Sequence, residues 1–99
     1  MPGYRLSLAA ADDVADIFVT GACDFGVAQA DVYHAGLERA FLFLADYPRA
    51  ARLRVEISPP VRAFPYKAHL IVYDILGDDI LILRVRHARE DWQHTTSEV

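Results

Sequence analysis

The stretch Arg84-Val85-Arg86-His87-Ala88-Arg89-Glu90-Asp91-Trp92 gathers three guanidinium groups, one imidazole and one indole within nine residues. Arginines beside a histidine can hold a phosphodiester while the imidazole moves a proton. A metal-free ribonuclease requires that combination, and its candidate catalytic residues here are His87, Arg84 and Arg86. Tryptophan and arginine also dominate protein-docking hot spots. In a third, structural reading, Arg84 and Arg86 pair with acids such as Asp74 or Glu56 and His87 ends a strand. On residue types alone docking ranks first, structure second and catalysis third.

Other chemistries have little footing. His87 and His94 stand seven apart without a cysteine or His-x-x-x-His partner, and His34 and His69 fall on different elements, so no metal-ligand spacing exists. There is no glycine-rich phosphate loop, no nucleophile elbow and no implied cofactor. Asp12, Asp13 and Asp16 resemble a carboxylate site but read as the acidic first turns of a helix, suited to the positive end of its dipole. The single cysteine, Cys23, excludes an intrachain disulfide and reads as a small core residue on that helix.

The 99 residues are expected to form one domain, with 88–99 as a C-terminal tail. An apolar fraction of 54% and a mean hydropathy of +0.13 exclude a disordered chain. No apolar run approaches the ~20 residues of a membrane helix. The opening Met1-Pro2-Gly3-Tyr4-Arg5 has no apolar export signal, so a cytoplasmic location is expected. The net charge of −4 hides an asymmetry: residues 1–48 carry two basic and seven acidic side chains, residues 49–99 eight and seven. Nine of the ten cations are arginine, which favours bidentate contacts over plain solvation; Lys67 is the exception.

Tyr4-Arg5-Leu6-Ser7-Leu8 alternates as a short strand. Val14, Ile17, Phe18, Ala22 and Phe25 then recur at helical spacing, and Gly26 stops the helix. A second helix over 28–46 presents Tyr33, Leu37, Ala40, Phe41 and Leu44, so the pair forms an antiparallel hairpin. Gly36, inside that helix, implies close approach to the first helix near Gly21 and Ala22. Leu42 and Phe43 fall off the main stripe, which predicts cover on two sides. Residues 49–60 stay unplaced, although 53–57 has the pattern of a brief strand before Ser58-Pro59-Pro60. Strands follow over 61–66, 69–76 and 80–86, with Gly77-Asp78-Asp79 as a tight turn. The fold class is α+β: an N-terminal strand, a helical hairpin, then a three-stranded antiparallel sheet.

Parity divides the strand residues. Ile71, Tyr73 and Ile75, then Leu81, Leu83 and Val85, are expected under the helices. Leu70, Val72, Ile80 and Ile82 fall on the opposite face, joined by Arg84 and Arg86. Aliphatic groups beside arginines on an open sheet face mark an interaction surface, unless the tail folds over it with Trp92 as a plug.

Several stretches resemble the ParE branch of the RelE/ParE superfamily of bacterial type II toxins. They are Tyr4-Arg5-Leu6-Ser7, Asp16-Ile17-Phe18, Phe25-Gly26-Val27-Ala28-Gln29-Ala30 and Leu44-Ala45-Asp46-Tyr47-Pro48-Arg49. Later come Val61-Arg62-Ala63-Phe64-Pro65, His69-Leu70-Ile71-Val72-Tyr73 and the run from Ile82 through Trp92. The resemblance implies a toxin silenced by a ParD-like antitoxin in a hetero-oligomer. It implies action on DNA gyrase, through its A subunit, by trapping the cleaved-DNA state without chemistry of its own. The acidity of the chain disfavours direct nucleic-acid binding, and no membrane partner is expected. The antitoxin seat is assigned to Leu70, Val72, Ile80, Ile82, Arg84, Arg86, Leu42 and Phe43, and the target surface to His87, Arg89 and Trp92. The alternative is a ribosome-dependent mRNA endonuclease of the RelE branch, which His87 resembles at the end of the last strand. Against it, Ala88 stands where that branch has an aromatic residue, Leu70 replaces an expected arginine, and lysine is scarce. A non-toxic binding module of the same fold is the third reading.

Overall fold

The computed structural model describes residues 3–89. The element order is β1 (Tyr4–Leu6), α1 (Leu8–Phe25), α2 (Val27–Asp46), β2 (Leu53–Arg54), β3 (Val61–Tyr66), β4 (His69–Leu76) and β5 (Asp79–His87). One sheet runs β1-β5-β4-β3-β2, with β1 parallel to β5 and the other pairs antiparallel. The α+β class, the helical hairpin and the three long antiparallel strands match expectation. The sheet itself is five-stranded and mixed, because β1 and the two-residue β2 join its edges.

Ser7 caps α1. Its Oγ accepts the Ala10 N–H at 2.9 Å and donates to the Leu83 carbonyl at 2.8 Å, while its own N–H reaches the Ile82 carbonyl at 2.9 Å. Because α1 starts at Leu8, Asp12, Asp13 and Asp16 lie beyond its first turn, and the dipole role expected for them does not hold. Gly26, at φ 92, is the whole joint between the helices: its N–H closes α1 on Ala22 and its carbonyl accepts from Ala30. That left-handed conformation favours glycine. Gly36 is not the point of approach between helices. A Cβ there would overlap the Tyr66 hydroxyl of β3, and it is Gly21 that faces Ala30 across the hairpin.

The main core joins Ala10 and Val14 of α1 to Leu37, Phe41 and Leu44 of α2 and to Ile71, Tyr73, Ile80, Ile82 and Val85 of the sheet. Phe25 and Cys23 are exposed rather than core, since the last turn of α1 reaches the end of the sheet. Leu42 and Phe43 are 53% and 43% exposed, so the described residues cover the second side of α2 only in part.

The parity expected for β5 is overturned over its first half. Tyr73 pairs with Ile82 and Val72 with Arg84, which leaves Leu83 as the extra residue of a β-bulge. Ahead of that bulge it is Ile80 and Ile82 that face the helices, both 0% exposed, rather than Leu81 and Leu83. Leu70 and Val72 do face away from the helices. They are not open, because Val72 is buried with Ile57, Val61 and Ala63 in a second cluster that Leu70 and Leu83 join.

Residues 47–60 are pinned from the sheet. The buried Tyr73 hydroxyl donates to the Pro48 carbonyl at 2.8 Å and accepts the Ala51 N–H at 3.4 Å, and Arg62 Nη1 donates to the Ala51 carbonyl at 2.7 Å. Regular pairing in this segment is confined to Leu53 and Arg54 against Arg62 and Val61. Among the described residues, no helix is long and apolar enough to cross a membrane.

Replacing Tyr73 by Phe removes both hydroxyl contacts and keeps the ring. The expected loss is about 1–3 kcal/mol, because a buried carbonyl and amide lose their partner. Denaturant unfolding measures it, and amide exchange at Ala51 should accelerate; an unchanged midpoint would show that the ring alone holds the segment.

Candidate functional site

β1 ends at Leu6 while β5 runs on to His87, so the outer edge of β5 needs partners for its backbone groups once β1 stops. The start of α1 supplies them in sequence. Ser7 takes the Ile82 and Leu83 carbonyls, and one turn further the Asp13 carboxylate accepts the Val85 N–H at 2.9 Å. The same carboxylate receives a bidentate pair from Arg84, Nε to Oδ2 at 2.8 Å and Nη2 to Oδ1 at 3.0 Å, and a longer contact from Arg86 Nη1 at 3.4 Å. Burial by itself would raise the Asp13 pKa. The hydrogen bonds from Arg84 and Val85 and the charges of Arg84 and Arg86 outweigh that and hold it below the usual carboxylate range.

The acid that engages Arg84 and Arg86 is therefore Asp13, not Asp74 or Glu56. Glu56 meets Arg52 at 3.3 Å on the surface, and Asp74 accepts the Ile75 N–H. Neither guanidinium stands beside an open aliphatic sheet face, because Ile80 and Ile82 lie in the core beneath the helices.

At the far end of β5, His87 pairs with His69 of β4, their rings 5.4 Å apart at 71°. Tyr33 of α2 places its hydroxyl 2.6 Å from His69 Nδ1, and burial raises the Tyr33 pKa. The Arg89 N–H donates to His87 Nδ1 at 3.1 Å. Sequence reading kept the two histidines apart. Counting outward from the Gly77-Asp78 turn sets His69 opposite Arg86, and the bulge at Leu83 moves its partner to His87. Among the described residues no cluster of three His, Cys, Asp or Glu side chains could hold a metal.

A third region lies between α2 and β3. The Phe43 ring packs 5.7 Å from Phe64 and 5.2 Å from Tyr47, and Arg39 and Lys67 flank a hollow of about 500 Å³ between Phe43, Phe64 and Tyr66. Lys67 Nζ lies 5.7 Å from the Tyr66 ring centre and 5.8 Å from that of Tyr33. Of the expected site residues, Phe43 lines this hollow, and Leu42, its neighbour on α2, is exposed. Leu70 is half-buried, Arg89 is exposed, and Trp92 lies outside the described residues. Arg39, Phe64, Tyr66 and Lys67 were missed, although aromatic residues on alternate positions of β3 were a visible signal.

Breaking a buried ion pair by removing one partner leaves the other charge uncompensated. Asp13→Ala should therefore cost about 3–5 kcal/mol of stability. The sign of the pH effect follows from the lowered pKa: the stabilisation is present above the unfolded value of about 3.9 and is lost as pH falls through the folded value. Asp13→Asn should flatten that part of the acid unfolding profile, and a variant that unfolds with the unaltered acid slope would remove Asp13 from the account.

Comparisons with known proteins bear on the family and the fold. A family model described as the ParE toxin of type II toxin-antitoxin system, parDE, matches residues 4–92. Toxin ParE3 of Caulobacter vibrioides is 33% identical over 64 residues, which are 65% of this chain and 64% of that protein's length. A solved structure from the chromosomal ParDE TA system of P. aeruginosa has a similar fold, with a TM-score of 0.75 at 19% identity over 88% of this chain and 96% of that one. With its strand, helical hairpin and sheet accounted for by one family model along nearly its full length, the chain belongs to the ParE toxin family of type II toxin-antitoxin systems.

Proposed function

We propose that this chain is a cytoplasmic toxin held silent by a ParD-like antitoxin. Freed of it, the toxin inhibits DNA gyrase through the A subunit by trapping the cleaved-DNA complex, without catalysing a reaction itself. The observation that carries this reading is the engagement of Arg84 and Arg86 by Asp13. The two guanidinium groups that would stabilise a phosphodiester transition state are already tied to a carboxylate of the same chain. Family membership supports the toxin assignment.

The antitoxin seat moves with the geometry. An amphipathic acidic segment fits the hollow between α2 and β3, where Phe43 and Phe64 offer apolar surface and Arg39 and Lys67 offer charge. Leu42, exposed on the same helix next to Phe43, is proposed to extend that surface. His87 and Arg89, at the end of β5, remain the proposed target contacts. A ribonuclease reading retains one specific support, the Tyr33–His69–His87 group, since an imidazole held by a neighbour can move a proton.

Toxin purified away from its antitoxin and titrated into gyrase with relaxed plasmid and ATP should accumulate linear DNA or abolish supercoiling, and antitoxin should reverse it. Inactivity at large excess, together with cleaved messages after induction in cells, would replace gyrase by the ribosome. Arg39→Glu and Phe43→Ser should each weaken antitoxin binding by about 2 kcal/mol if they are central to the seat. Calorimetry that finds both affinities unaltered would place the seat elsewhere and leave the gyrase assignment standing.

A further inference from the structure

A cleft of about 600 Å³ opens between α1 and the ends of β4 and β5, within the roughly 300–1,000 Å³ range of ligand pockets. The Tyr33–Tyr66 contact lies between it and the hollow beside β3. Asp16, Thr20 and Asp24 recur every four residues along one wall, so helical geometry stacks them in a row. Ile17, Gly21 and Phe25 make a parallel row with the same spacing and give the cleft an apolar floor. Phe25, at the lip, is 74% exposed, an unusual state for an aromatic ring that none of the described residues covers. Across the cleft, Tyr33, His69 and His87 form the second wall, with the Tyr33 hydroxyl and His69 Nδ1 held to each other.

The charge of this cleft is one-sided. α1 carries Asp12, Asp13, Asp16 and Asp24 and no lysine or arginine. Asp13 is neutralised by Arg84 and Arg86, whereas the ion pairs among the described residues leave out Asp16 and Asp24. An acidic segment would meet two carboxylates here. A purely apolar one would strip water from them and return nothing. A segment whose arginine or lysine stems lie along Ile17 and Phe25, with their charged ends at Asp16 and Asp24, satisfies both rows at once.

We propose that this cleft is a second docking site, separate from the antitoxin seat, and that its occupant is a basic amphipathic segment of a partner protein, with arginine or lysine beside an aliphatic or aromatic residue. The site does not depend on gyrase being the target. It is the chemical inverse of the α2–β3 hollow, so one toxin molecule can hold an acidic segment on one side of Tyr33 and a basic one on the other.

The test is fluorescence anisotropy with the full chain and three labelled peptides of equal length, built on alternating leucine with arginine, glutamate or serine. The arginine peptide should bind best and weaken with added salt. Asp16→Asn combined with Asp24→Asn should lower its affinity at least tenfold, and Phe25→Ser should lower it as well. Asp78→Asn, a charge change at the exposed β4–β5 turn, should leave it unaltered. Circular dichroism checks that each variant is folded, and Phe25 is exposed enough for its replacement to be tolerated. Equal binding of the glutamate or serine peptide would overturn the proposal. So would a double variant that behaves like Asp78→Asn. No binding of the arginine peptide at millimolar concentration would overturn it too, as would self-association of the toxin that the Asp16 and Asp24 changes abolish, since the occupant would then be a second copy.

Discussion

Among the described residues the outer edge of β5, opposite β4, has no neighbouring strand beyond residue 82, and the fold is arranged around meeting that need. A short β1 pairs with Ile80, Leu81 and Ile82 and then turns directly into α1, so the first turns of the helix pass along the edge that the strand has left. Ser7 and Asp13 stand in for a sixth strand, one at the Ile82 and Leu83 carbonyls and the other at the Val85 amide. The helix is thereby fixed in translation and rotation against the sheet. α2 follows through a one-residue joint, so the apolar face of the hairpin is aimed at Ile71, Tyr73, Ile80, Ile82 and Val85 as a consequence.

The same tie is what supports the proposal that the arginines near the end of β5 serve the fold rather than a phosphate site. A carboxylate buried between two guanidinium groups is costly to leave unpaired, and each guanidinium is costly to withdraw. Releasing Arg84 toward a ligand would leave the buried Asp13 carboxylate with only the longer Arg86 contact to balance its charge. Chemistry that needs mobile cations at that position would work against the stability of the whole edge, whereas a protein that acts by docking is under no such conflict.

Much of the fold was legible because it is written in local spacing: the helical stripes, Gly26 as a single-residue joint, and, apart from the brief strand at 53–57, strands whose limits fall within a residue or two of the observed ones. What was not legible depended on partners distant in the chain. Asp13 and Arg84 are 71 residues apart, and nothing in the local sequence of a helix announces an ion pair with the last strand. A one-residue bulge is equally invisible to alternation, yet at Leu83 it exchanged the two faces of β5 and turned the expected seat at Ile80 and Ile82 into core. Residues 49–60 lack periodicity because their order comes from Tyr73 and Arg62 in the sheet. Of the candidate site, Leu42 and Phe43 were found from being off the stripe. Their neighbours Phe64 and Lys67 needed the packing of α2 on β3 to bring them alongside.

The asymmetry of charge along the chain becomes, in the folded molecule, an asymmetry of surfaces. The acidic first half supplies α1, whose carboxylates line the cleft at Asp16 and Asp24. The more basic second half supplies Lys67, which with Arg39 of α2 flanks the aromatic hollow beside β3. A net charge of −4 is thus a poor guide to what either surface attracts, since steering is set by the local field and solvent screens charges more than about 10 Å apart. Opposite fields on two sides of one small protein allow two partners to be chosen by charge without competing for the same contacts. Under the proposed function, such separation would let neutralisation by one partner and action on another respond to different mutations, whereas a single shared surface would tie the two together.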